Sequence, residues 1–118
     1  MAYMHVHGIG NLTKDAEFIT AGDTRKGSFR IGVSARFKDR EGNTQARQSF
    51  FACEIWGKLA ETFENMGSLK KGTRVNVIGH FRTDRFKDGE GKDQERDYLY
   101  LSEVDLLSPR ATEDGADT

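Results

Sequence analysis

The sequence predicts an all-β fold, a five-stranded Greek-key barrel with one α-helix between strands 3 and 4. Three observations lead there. Segments that alternate apolar and polar residues recur along the chain, the mark of half-buried strands. Only one stretch repeats apolar residues at helical spacing. The 118 residues, with their aliphatics and eight phenylalanines, fill one small core and give no material for a second.

The first strand is 3–10, ended by the turn Asn11-Leu12-Thr13-Lys14-Asp15. Residues 16–20 form a short extended piece, and Ala21-Gly22-Asp23-Thr24 turns the chain again. The second strand, 26–37, sets Phe29, Ile31, Val33 and Ala35 on one face and Ser28, Arg30, Gly32, Ser34 and Arg36 on the other. Phe37 continues the apolar row in a regular strand, and a bulge near Arg36 would turn it outward. The polar segment 38–45, with Glu41-Gly42-Asn43 at its tip, is a hairpin loop, and the third strand is 46–56. Leu59, Phe63 and Met66 then recur at i, i+4 and i+7, a helical stripe that Gly67 stops. Strand 73–86 is interrupted by Gly79, which marks a bend or bulge. The charged loop 87–95 leads to the last strand, 96–107, and 108–118 is a short acidic tail. Five bent strands with a helix between the third and fourth is the plan of an OB-fold.

Strand 46–56 carries the functional signal. Phe51, Cys53 and Ile55 share one face; Gln48, Phe50, Ala52, Glu54 and Trp56 share the other. The second row is polar except for its aromatics. Phe37 and Phe86, at the ends of two other strands, are similar. Flat exposed rings beside Lys and Arg are what unstacked bases need as a platform, so these residues point to a surface for single-stranded nucleic acid.

Bulk charge adds nothing to that reading. The formal net charge is −1; residues 110–118 carry −2, leaving about +1 on the rest. Cys53 is the single cysteine, which excludes an intrachain disulfide and a cysteine-built zinc site; at core parity it is a small buried hydrophobe. His5 and His7 share a strand face but have no apparent third metal ligand. Asp84, Asp88, Glu90, Asp93 and Glu95 could suggest a nuclease metal, or a calcium loop, yet Lys87, Lys92 and Arg96 alternate with them as in a solvated hairpin, and the calcium-loop spacing fails. No catalytic residue, cofactor or metal is therefore assigned. The N-terminus lacks a basic segment followed by an apolar run, and no stretch is apolar enough to span a bilayer.

Several segments, in order, resemble the bacterial single-stranded DNA-binding protein family. They are Gly10-Asn11-Leu12-Thr13-Lys14-Asp15-Ala16-Glu17, Trp56-Gly57-Lys58-Leu59-Ala60-Glu61, Lys70-Lys71-Gly72-Thr73-Arg74-Val75, Gly79-His80-Phe81-Arg82-Thr83-Asp84-Arg85-Phe86, and Ser102-Glu103-Val104 through Leu107. The resemblance covers roughly residues 4–107. It implies an OB-fold that assembles as a homo-oligomer, usually a tetramer, and wraps single-stranded DNA during replication, recombination and repair, in the cytoplasm with the nucleoid, or in a host cytoplasm if phage-encoded. It carries over Phe37, Phe50, Trp56 and Phe86 as stacking positions; 37, 50 and 86 are usually Trp in relatives, and Trp56 stands where they have Phe. It carries over Lys58, Lys71, Arg82 and Arg85 as basic positions, joined by the loop bases Arg36 and Lys38. Position 16 is Ala where the family prefers Pro. The family's acidic tail, with a hydrophobic tip that recruits replication and repair partners, has no counterpart tip here: the end has three acids and no Pro-Phe. That leaves a truncated chain, a phage or plasmid branch, or different partners. Two other readings of the aromatic face stand beside this one, a protein-interaction OB adaptor and a metal-dependent nuclease.

Overall fold

The structure is a computed structural model and describes residues 4–107; Tyr3 and the expected tail, 108–118, lie outside the described residues. The elements are β1 (His5–Leu12), β2 (Glu17–Ala21), β3 (Thr24–Lys38), β4 (Thr44–Trp56), α1 (Lys58–Met66), β5 (Arg74–Lys87) and β6 (Asp93–Leu106). Hydrogen-bonded neighbours run β1-β5-β6-β4-β3-β2, and β1 returns to β3 through Asn11–Gly32 and Leu12–Ile31. Five strands thus close a ring, with α1 between the third and fourth of them in chain order: the OB-fold plan. The extended piece before β3 is a sixth strand, β2, paired antiparallel to β3 on the outside of the ring.

The period-two pattern builds the core. Leu12, Ile31, Cys53, Ile55, Val75, Val77, Leu99 and Leu101 point inward and are buried. The Cys53 thiol is among them, pushed up to about 12 by burial, so it packs as a hydrophobe and is not a nucleophile. The helix departs from the expected stripe. Ala60 and Phe63 are its buried residues, Leu59 packs at the margin, and Met66 is 55 % exposed. Gly67 ends the helix directly after Met66, and Leu69, beyond the turn, is buried instead. Arg25 ties the helix to β3 with a two-pronged bond to Glu64, at 2.8 and 2.6 Å. That bond raises the arginine's pKa and lowers the carboxylate's.

The ring is thinnest where β4 meets β6. This parallel contact is registered at Cys53–Leu99 and Glu54–Tyr100 alone. The hairpins β3–β4 and β5–β6 part there and run on as two arms, and their strands extend further into the expected loops than the sequence pattern indicated. Both arms carry the same string, Arg-Phe-Lys-Asp-x-Glu-Gly-x-x-Gln, at 36–45 and 85–94. Both tips close in the same way. Asp39 Oδ1 accepts the N–H groups of Glu41 and Asn43, and Asp88 Oδ1 accepts those of Glu90 and Lys92, all at 2.9–3.0 Å. Gln45 and Gln94 each donate to the second carboxylate oxygen at 3.0 Å. Gly42 and Gly91 take the positive φ that the tip requires, +82° and +79°. The Gln45 side chain and the Asn43 amide hold Asp39 below the usual carboxylate range, and the Lys92 and Glu90 amides do the same for Asp88.

Candidate nucleic-acid interface

Residues directly opposite in neighbouring strands share a face, so the register sorts the side chains. The pairs Lys26–Trp56, Ser28–Glu54, Arg30–Ala52, Gly32–Phe50 and Ser34–Gln48 lie on the outer side of β3 and β4. The Glu54–Tyr100 pair carries this face to β6, and Tyr100–His80, Tyr98–Arg82, Arg96–Asp84 and Gln94–Phe86 carry it across β5. Phe50, Trp56 and Phe86 therefore stand on one continuous outer face. Phe50 and Phe86 are about half exposed and Trp56 is partly buried.

Phe37 is placed differently. The β3–β4 register runs unbroken from Lys26–Trp56 to Lys38–Thr44, so the bulge that would have turned this ring outward is not formed. Phe37 remains on the row of Phe29, Ile31 and Val33. It is 43 % exposed because the arm has by then overshot the barrel and the inner row has no core beneath it.

Among the expected basic residues, Lys58 opens α1 and Lys71 sits in the turn before β5, both exposed. Arg36 and Lys38 are exposed on the outer row of the first arm. Arg82 is on the outer face, its guanidinium 4.0 Å from the centre of the Tyr100 ring. Arg85, by contrast, lies on the inner row of the second arm and pairs with Glu95 at 3.2 Å.

Register also brings in residues that the sequence pattern did not single out. Arg30 lies 5.8 Å from the Phe50 ring centre, and Arg47 lies 5.4 Å from that of Phe37. Arg74, Asn11, Thr13, Gly32 and Phe50 line one cleft of about 390 Å³ where β1 closes on β3. Arg74 and Phe50 are 24 positions apart in sequence, and the signal that joins them is the β1 closure rather than any local motif.

Glu54 overturns its expected place in an exposed row. It is 1 % exposed. Its carboxylate accepts from Trp56 Nε1 at 3.0 Å and from Arg96 at 2.6 Å, and Lys26 approaches to 3.3 Å. Side chains from β3 and β6 roof it over, although its strand parity is outward.

The acidic residues near the second arm do not converge. Asp84 accepts from Tyr98 and Arg96, Asp93 from Lys87, Glu95 pairs with Arg85, and Asp88 closes its own turn. Among the described residues no three His, Cys, Asp or Glu side chains group as a metal site. His7 Nε2 instead meets Asn76 Oδ1 at 2.6 Å, and His5 stands opposite His80. No helix of the described residues is long and apolar enough to cross a membrane.

The model of the single-strand binding protein family matches residues 4–107. A Listeria innocua protein named single-stranded DNA-binding protein 2 is 31% identical over 109 residues, covering 92% of this chain and 66% of that protein. The chain thus spans just under two thirds of that relative's length. Among solved structures, the single-stranded DNA binding protein from Thermus aquaticus, as a deletion mutant, superposes with a TM-score of 0.81 at 18% identity, over 92% of this chain and 53% of that one. A Plasmodium falciparum SSB in complex with ssDNA gives 0.78 at 15% identity, over 88% and 94%. The likeness to these structures is one of fold; the match over residues 4–107 carries the family, and the chain belongs to the single-strand binding protein family.

Proposed function

We propose that this chain binds single-stranded DNA without reading its sequence, as a non-enzymatic protein of replication, recombination and repair. The observation that carries the reading is the single outer face bearing Phe50, Trp56 and Phe86 among arginines. Bases stack on these rings, and Phe37 offers a fourth from the inner row of the first arm. Lys58, Lys71, Arg82, Arg36 and Lys38, joined by Arg30 and Arg74, neutralise phosphates, and no base edge need be read. Arg85 contributes less while it is held by Glu95. Residues 1–107 form the binding unit, and 108–118 add an acidic segment.

Titrating Trp56 fluorescence with oligo-dT tests this directly, because it is the chain's one tryptophan. The expected result is strong quenching without strand cleavage, and an affinity that falls with salt by a slope of about 0.7 per neutralised phosphate. Absence of quenching favours the adaptor reading, and cleavage with magnesium favours the nuclease.

The proposed assembly is a homo-oligomer, a tetramer. Strand β1 pairs with β5 along its length but with β3 only at Asn11 and Leu12. From Val6 to Ile9 the side of the strand away from β5 has no strand partner among the described residues, an open edge that a second copy can extend. Light scattering at micromolar concentration is expected to give four times the chain mass; a monomer refutes the assembly.

A further inference from the structure

We propose that Glu54 is the positioning residue of the binding face: it anchors Trp56 and cancels the charges of Lys26 and Arg96, so that this centre takes bases and not phosphates. The inference rests on the single-stranded DNA reading and assigns a role within it.

A carboxylate in the middle of a surface for a polyanion needs a reason. Left open, it would repel phosphate. Here it is buried, and its surroundings occupy both oxygens. Trp56 Nε1 donates to Oε1 at 3.0 Å, which fixes the orientation of the indole by its polar edge. On the other oxygen, Arg96 and Lys26 converge at 2.6 and 3.3 Å. Arg96 also reaches Asp84 at 3.3 Å, and Asp84 accepts the Tyr98 hydroxyl at 3.2 Å. Two cations thus face two carboxylates, and the charges of this group cancel. Each cation also lies against one side of a ring: Arg96 is 4.4 Å from the Tyr98 ring centre and Lys26 is 5.5 Å from that of Trp56. Lys26 and Arg96 are thus both committed to carboxylates, while Arg82, over the Tyr100 ring at 4.0 Å, borders the patch with no ion pair among the described residues.

The Phe50 side of the face is the opposite case. Arg30 and Arg74 border Phe50, and neither has a carboxylate ion-pair partner among the described residues. Phosphates gain most where a cation has no protein counter-charge to give up. The backbone of a bound strand therefore runs along Arg30 and Arg74 while its bases reach over the neutral floor at Trp56.

Two substitutions separate the anchor from the charge. In Glu54→Leu the indole loses its acceptor, Lys26 loses its partner and Arg96 keeps only Asp84; in Glu54→Gln an acceptor remains but the charge is gone. In the free protein, acrylamide quenching of Trp56 is expected to rise in Glu54→Leu and to stay near the parent in Glu54→Gln. The slope of log affinity for oligo-dT against log salt is expected to steepen in both. Lys26→Gln and Arg96→Gln are expected to leave the parent slope unchanged, whereas Arg30→Gln and Arg74→Gln each flatten it by about 0.7. If Lys26→Gln or Arg96→Gln flattens the slope by that amount, these cations bind phosphate and the proposal is overturned. Equal shielding of Trp56 in Glu54→Leu and the parent overturns it as well. Should neither Glu54 variant fold, the four slopes still decide. A parent that does not bind oligo-dT defeats the DNA reading itself, while the quenching comparison, made without DNA, still judges the anchor.

Discussion

Gly79→Ala is expected to destabilise the fold by about 3 kcal/mol or more, because the added methyl has nowhere to go. A Cβ at this position would meet the Tyr100 carbonyl oxygen at 2.2 Å and Leu101 Cα at 2.8 Å. Both are backbone atoms of the neighbouring strand and cannot rotate away. The site is the bulge in the β5–β6 ladder: Ile78 pairs with Glu103 and Gly79 with Leu101, so Ser102 is left over and its hydroxyl donates to the Ile78 carbonyl at 3.2 Å. The bulge bends β5 and β6 so that Val77 and Leu99 can both face the core while the arm leaves the barrel. Relieving the clash would undo that bend. Gly89→Ala is the control, since a Cβ there meets nothing within 4 Å, and it should stay within about 0.5 kcal/mol of the parent. Urea unfolding checks both through the midpoint, with the slope unchanged. A Gly79→Ala protein as stable as Gly89→Ala would mean the strands are not this close.

That bulge was legible in the sequence because a lone glycine inside an alternating strand has few other reasons to be there. The alternation in 46–56 was equally plain: Cys53 and Ile55 are buried while Phe50 is half exposed, as period two requires. Glu54 was not legible. Its parity is outward, and its burial depends on Lys26 and Arg96, 28 and 42 positions away, folding over it from two other strands. The side of Phe37 turned on whether the strand bulged, which the polar residues around Arg36 left open and the continuous register decides. The pairing of Arg30 and Arg74 around Phe50 was hidden because it arises only when β1 closes the ring. What escaped the pattern, then, was long-range closure. A local feature also went unread, the repeated Arg-Phe-Lys-Asp-x-Glu-Gly-x-x-Gln string, which a self-comparison of the chain would find.

Phe50→Ala and Trp56→Ala are each expected to weaken oligo-dT binding by about 1–3 kcal/mol, roughly fivefold to 150-fold, the usual worth of one stacked base. The two should differ in what else they cost. Phe50 is 47 % exposed and touches Arg30, so its loss leaves the core intact and the melting temperature near the parent. Trp56 is partly buried and holds the Glu54 carboxylate, so its loss also lowers stability. The rings are six residues apart along β4, about 20 Å in extended chain at the rise of a strand, too far to share a base. Each therefore stacks its own base, and the double variant should lose the two single losses added together within about 0.5 kcal/mol. Because Trp56 is itself the intrinsic probe, the measurement uses anisotropy of a labelled oligonucleotide at one fixed salt concentration. A double variant no weaker than either single one would mean that only one ring meets the strand. Unchanged affinity in all three would remove β4 from the interface and leave the aromatic face to a protein partner.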